Sequence, residues 1–146
     1  MKEQLLFFLT PAAKQAGIIF TTPRSGDAGF DLRALEEAIC EVNQSLLIPT
    51  GLKLKIPNGW VGVVKDRSSM ALRGIYTHGG VIDSSYRGEI KVVISNRSNE
   101  PYQIKSGDKI AQLLVVPYCD NCLEVSDENE LGLTDRGADG FGSTGR

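Results

Sequence analysis

The chain has 146 residues, with 16 Lys or Arg against 18 Asp or Glu and a formal net charge of -2. That length fits one domain able to bury roughly 68–70% of the surface of its unfolded chain, and the near-neutral balance excludes a whole-protein field for nucleic acid or membrane, so any anion site must be local. Three irregularly spaced cysteines exclude a disulfide framework, and the longest apolar run near the start, Leu5 to Leu9, is too short for a signal segment or a membrane span. The chain therefore reads as soluble and cytoplasmic.

Gln4 to Leu9 reads as a first strand, and Thr10 to Gly17 as a loop or a short turn of helix. Ala28 to Ala34 is a short apolar segment with Asp31 inside it, a carboxylate either on a wet face or held for a reason. Ile39 to Leu47 gives two short strands around Asn43-Gln44. Leu52 to Ile56 alternates strictly, Pro57-Asn58-Gly59 reads as a hairpin turn, and Trp60 to Val64 as the returning partner strand. Asp66 to Gly74 is the one convincing helical piece, with Ser68 or Ser69 as its cap and Gly74 as its end. Val81-Ile82 leads into Asp83, Tyr86 and a turn at Arg87-Gly88, and Ile90 to Ser95 is a buried strand. Tyr102 to Ile104 and Lys109 to Val116 are further strands, with one more around Leu123 to Val125. Sixteen glycines and many short strands predict an all-β sandwich or barrel.

Several pieces are suited to chemistry. Asp83 and Tyr86 stand near a hairpin tip rooted on a strand, a way to hold a functional pair. Arg67-Ser68-Ser69 at a helix start is an anion candidate, although an ordinary cap is the commoner use. Gln112 is a polar residue on an apolar strand and matters only if its face lines a pocket. The segment 136–146 is rich in glycine, with Arg136, Ser143, Thr144 and one aromatic, Phe141. Backbone N–H groups, hydroxyls and arginine make a phosphate-cradling composition, while a flexible tail has the same composition. Its aromatic is placed to stack on a base. Fully extended, it reaches on the order of 35 Å, far enough to meet a neighbouring subunit. Cys119-Asp120-Asn121-Cys122 lacks the second paired knuckle of a structural zinc site. His78, beside Gly79-Gly80, reads as a surface-loop residue.

Five segments stand in one order: AGFDL (28–32), DRSSMAL (66–72), GGVIDSSYRGEI (79–90), GDKIAQLLV (107–115) and RGADGFGSTG (136–145). Together they resemble the ordered motifs of the trimeric dUTPase family. The resemblance implies a jelly-roll-like all-β subunit with one short helix, a β domain over residues 1–135, and a flexible arm over 136–146 that closes a site of a neighbouring subunit. It implies a homotrimer with shared sites that hydrolyses dUTP to dUMP and diphosphate with Mg2+, limiting uracil incorporation into DNA and supplying dUMP. It implies no direct nucleic-acid or membrane partner. Asp83 matches the catalytic carboxylate that activates the water. Tyr86 matches the residue under the deoxyribose, and Gly80, Val81 and Ile82 the backbone facing the uracil. Arg67, Ser68, Ser69 and Gln112 match phosphate contacts, and Lys91 joins the substrate-binding set. Arg136, Phe141, Gly142, Ser143 and Thr144 belong to the arm, and Asp31 would reach the metal through water.

The chain departs from the family pattern at Asp66, where Pro or Gly is frequent, at Ser69-Met70, and at Ser85. Two rivals use the same fold. A dCTP deaminase shares the arginine-serine-serine motif, but its catalytic glutamate would fall at Val93 here. A non-catalytic binding protein would need neither Asp83 nor the arm.

Overall fold

The computed structural model describes residues 4–140. Its strands are β1 (Leu6–Leu9), β2 (Phe30–Arg33), β3 (Ala38–Cys40), β4 (Ser45–Lys55), β5 (Trp60–Lys65), β6 (Ile75–His78), β7 (Val81–Ile82), β8 (Glu89–Asn96), β9 (Tyr102–Ile104) and β10 (Lys109–Pro117). Two short helices, α1 (Pro11–Gln15) and α2 (Ser68–Ala71), and a 3-10 turn at Glu128–Leu131 complete the described elements. One antiparallel sheet runs β1-β4-β8-β6, a second β2-β10-β5-β7, and β3 pairs with β9 in a ribbon. Ile48, Leu54, Ile90, Val92 and Ile94 of the first sheet meet Leu32, Val64, Ala111 and Leu113 of the second in one core. This is the all-β architecture expected from many short strands and the jelly-roll-like form implied by the family resemblance, with a second short helix where the sequence left Thr10 to Gly17 open.

The alternation that builds the core is plainest in β8, where Ile90, Val92 and Ile94 are buried and Lys91 is exposed. Burying one such side chain stabilises by roughly 1.5–3 kcal/mol, so the register of β8 against β4 is strongly specified. β4 is longer than either strand read from its sequence, because a bulge between Pro49 and Leu52 absorbs the Pro-Thr-Gly break. The buried Thr50 hydroxyl donates to Ile90 O at 2.6 Å, and Glu89 Oε1 accepts the Gly51 N–H at 2.7 Å. Gly51 has a φ of 67° and its carbonyl accepts Thr10 N–H at 2.9 Å, which ties the start of α1 to the bulge.

Four local expectations are corrected. Pro57-Asn58-Gly59 does turn the chain, with Trp60 N–H donating to Pro57 O at 3.2 Å, but β4 and β5 are not partners. The turn passes the chain from one sheet to the other, because Ile56 must stay in the core between sheets. Its Cδ1 lies so close to Gly62 that any side chain there would collide. The cap of α2 is Arg67, with no side-chain cap bond, rather than Ser68 or Ser69. Gly74 does end that turn, with a φ of 79°. His78 ends β6 instead of lying in a loop, and its Nε2 is 2.6 Å from Oγ of the fully buried Ser95. No strand forms at Leu123 to Val125. Leu123 there is 90% exposed, without the burial that would hold a strand.

Cys40 is buried, and burial pushes its thiol pKa up despite a hydrogen bond from the Asn96 backbone that lowers it; Glu41 adds to the rise. The thiol is therefore held protonated and a poor nucleophile. Among the described residues no helix is long and apolar enough to cross a membrane.

Candidate active site

The hairpin from β7 to β8 builds itself from its own side chains. Tyr86 N–H donates to Asp83 O at 3.0 Å, closing the turn over Ser84-Ser85. The Arg87 guanidinium donates to Ser84 O at 2.7 Å and to Tyr86 O at 2.9 Å. Tyr86 Oη donates to Glu89 O at 3.0 Å, and its ring lies over Gly88, where a Cβ would collide with it. These bonds satisfy the loop carbonyls and leave the Asp83 carboxylate exposed, with no hydrogen-bond or ion-pair partner among the described residues. A free carboxylate on a braced loop is suited to holding a water and taking its proton.

The hairpin root is equally defined. Among the described residues β7 is the last strand of its sheet and pairs only with β5, through Gly62↔Ile82 and Val63↔Val81. Val64 N–H donates to Gly80 O at 2.8 Å, and a Cβ on Gly80 would stand 2.9 Å from Val64 Cβ. Gly79 and Gly80 have φ of 64° and 92°, so the strand-to-strand step needs residues without side chains. Among the described residues no further strand pairs with the outer edge of β7, the kind of edge that can read a planar, hydrogen-bonding ligand.

A polar cleft of about 650 Å3 lies elsewhere on the chain, between the 21–29 loop, the start of α2 and β10. Arg67, Ser68, Ser69, Asp31 and Gln112 all line it, so the structure brings these sequence-selected residues together. Gln112 lies opposite Asp31 on β2 and Lys65 on β5. Its Nε2 donates to Asp66 O at 2.8 Å, and its amide packs where a Cβ on Gly29 would sit. Asp31 is held by Lys109, with Nζ to Oδ2 at 2.6 Å and Arg67 Nε 4.0 Å away. Arg67 also donates to Lys109 O at 3.1 Å. Lys109 and Arg67 thus flank the Asp31 carboxylate in a cleft that Arg24, Arg33 and Asp27 also line, a setting in which cations outnumber carboxylates and a polyanion is favoured.

Asp83, Tyr86 and Gly80 to Ile82 do not line this cleft. Lys91 is exposed on β8 opposite Pro49 and makes no side-chain bond to the others among the described residues. Arg136 folds back on its own segment, donating from Nε to Asp139 O at 2.9 Å. Phe141, Gly142, Ser143 and Thr144 lie outside the described residues. No three His, Cys, Asp or Glu side chains approach closely enough to hold a metal among the described residues.

Sequence reasoning missed Lys109, Asp66 and Glu89. Asp66 Oδ1 accepts both the backbone N–H and the hydroxyl of Thr77 at 2.6 Å each. No local pattern announces such pairs, since their partners come from other strands. For Lys109 the sequence offered only a lysine opening a strand, and its place beside Asp31 follows from the pairing of β10 with β2.

The structure is thus a two-sheet β protein with a cation-lined cleft and a braced carboxylate hairpin, features suited to an anionic ligand. Comparison with known proteins is more particular. Residues 15–145 match the dUTPase family model, and the chain belongs to that family. It is 43% identical over 124 residues to the deoxyuridine 5'-triphosphate nucleotidohydrolase of Wolbachia sp. subsp. Drosophila simulans (strain wRi), covering 82% of this chain and 81% of the relative. Among solved structures it is similar to the native EIAV dUTPase, with TM-score 0.74 and 32% identity over 86% of this chain and 98% of that one. The Staphylococcus bacteriophage 80alpha dUTPase with dUPNHPP matches at TM-score 0.83 and 25% identity, over 99% of this chain and 100% of that one.

Proposed function

We propose that the chain is a dUTP diphosphatase that releases dUMP and diphosphate. The observation that carries this reading is the hairpin: a free Asp83 carboxylate, the Tyr86 ring locked over Gly88, and an unpaired β7 edge stand within eight residues of one another. Family membership and the dUPNHPP bound by the phage relative support dUTP as the substrate.

In this reading the uracil edge meets the backbone of Gly80 to Ile82. A base with mismatched donors leaves buried groups unpaired and is rejected strongly. Tyr86 packs beneath the deoxyribose and leaves no room for a 2'-hydroxyl. Asp83 takes a proton from a water as its oxygen bonds to the α-phosphorus, the bond to the bridging oxygen breaks, and diphosphate leaves. Arg67, the Ser68 and Ser69 amides and hydroxyls, and the second N–H of the Gln112 amide meet the phosphate oxygens. The donor set fits a Mg2+ carried mainly by the substrate's phosphates. Asp31 would reach it through water, since among the described residues no three carboxylate, Cys or His side chains come together as a protein cage. When bound, Mg2+ supplies charge neutralisation on the phosphate oxygens.

Because the hairpin residues do not line the phosphate cleft of their own chain, each site draws its hairpin from one copy and its cleft from another, in a homotrimer. Residues 1–135 form the body, and 136–146 the arm that closes a neighbour's site.

A product assay tests the reaction. dUMP and diphosphate from dUTP with Mg2+ are expected, and ammonia released from dCTP without diphosphate from dUTP would overturn it. Gly88→Ala tests the sugar platform. A methyl there displaces the Tyr86 ring, so KM for dUTP should rise about tenfold, equivalent to about 1.4 kcal/mol. Steady-state kinetics with an unchanged KM would remove Tyr86 from substrate contact.

A further inference from the structure

We infer that Asp66 is a positioning residue that fixes the base-reading hairpin, and that it sets discrimination between nucleobases. The inference rests on the proposed dUTP reaction. Asp66 follows the last residue of β5 and precedes the Arg67 turn. Its Oδ1 receives two short bonds from one residue of the opposite sheet, Thr77 N–H and Thr77 Oγ1–H, each at 2.6 Å. Among the described residues β6 is an edge strand, paired only with β8. Thr77 N–H therefore lacks a second strand to receive it, and the carboxylate takes the place of that strand. The bonds are charge-assisted and bridge the two sheets beside the cleft.

The hairpin needs such a restraint. Immediately beyond Thr77 and His78 the chain pivots through Gly79 and Gly80, both at positive φ. β7 then has only two paired residues. A glycine pivot followed by so short a strand holds a backbone edge loosely. Asp66 pins the chain before the pivot, and the Val64 N–H to Gly80 O bond pins it within the pivot. The Asp66 carbonyl also accepts from Gln112 at 2.8 Å, so one residue braces the hairpin root and a phosphate-facing side chain together.

The test compares Asp66→Ala, Asp66→Asn and Thr77→Val with the native chain, using kcat/KM for dUTP against dCTP and dTTP, and amide exchange at residue 77. Asn retains an oxygen that accepts both donors, so Asp66→Asn should keep the native ratio within about threefold. Asp66→Ala should raise KM for dUTP and lower the dUTP preference by roughly ten- to a hundredfold, with loss of exchange protection at Thr77. Thr77→Val, which keeps only the backbone bond, should fall between them. A purely structural role would lower the melting temperature while leaving the base ratio of the folded enzyme native, and that result overturns the inference. If Asp66→Ala does not fold, Thr77→Val with a native base ratio overturns it equally. If the native chain does not hydrolyse dUTP, the proposed reaction fails instead. The clasp itself then stands or falls on whether protection at Thr77 is lost in Asp66→Ala and kept in Asp66→Asn.

Discussion

Asp83→Asn should bind dUTP with an affinity near that of the native chain, yet lower kcat by roughly 10²–10⁴-fold, the usual contribution of a positioned general base. The loop that presents Asp83 does not depend on its side chain. Tyr86 N–H bonds to the Asp83 carbonyl, and Arg87 closes the turn on Ser84 O and Tyr86 O. Asn is nearly the same size and keeps the backbone geometry, so the change removes proton acceptance and little else. Affinity should hold or improve slightly, because one negative charge near a polyanion is gone. Single-turnover rates with dUTP and calorimetric binding of a non-hydrolysable imido analogue separate the two effects. Near-native turnover would place the base elsewhere, and Asp31 is a poor substitute because Lys109 already holds it at 2.6 Å.

The features that could be read before folding were those whose physics is local. The Asp83 hairpin was legible because turn residues, a short apolar pair and a β-branched strand follow one another in sequence. Its bracing is equally local, from Arg87, Gly88 and Glu89. Gly74 was legible as a helix stop for the same reason. The turn at Pro57-Asn58-Gly59 was misread because sheet membership is decided at a distance. Ile56, Gly62 and Leu113 crowd together in the core and send β5 to the second sheet. The cap of α2 was misread because Arg67 is drawn to Lys109 O, a partner no helix rule anticipates. His78 left its expected loop because β8 offers Ser95 to its ring. Asp66 looked like a departure from a pattern and only becomes intelligible beside Thr77.

Deleting residues 136–146 should leave the protein folded and assembled while lowering kcat by roughly 10²–10³-fold, the scale of losing preorganised charge stabilisation. From Tyr118 to Asp139 nearly every described residue is exposed, and none belongs to the core. Leu131 and Leu133 are 74% and 99% exposed, so this stretch adds little to the packing of its own chain. The melting temperature should therefore change little, while unfolding of the truncated chain would make the arm structural. The sharper test mixes the truncated chain with Asp83→Asn in one assembly. Each variant alone lacks one half of every site. If a site takes Asp83 from one copy and its arm from another, random mixing rebuilds about a quarter of the sites, and activity returns. If each chain supplies its own Asp83 and arm, no mixture contains an intact site. The recovered rate thus separates a site shared between copies from one built within a chain, without altering any residue that holds the fold.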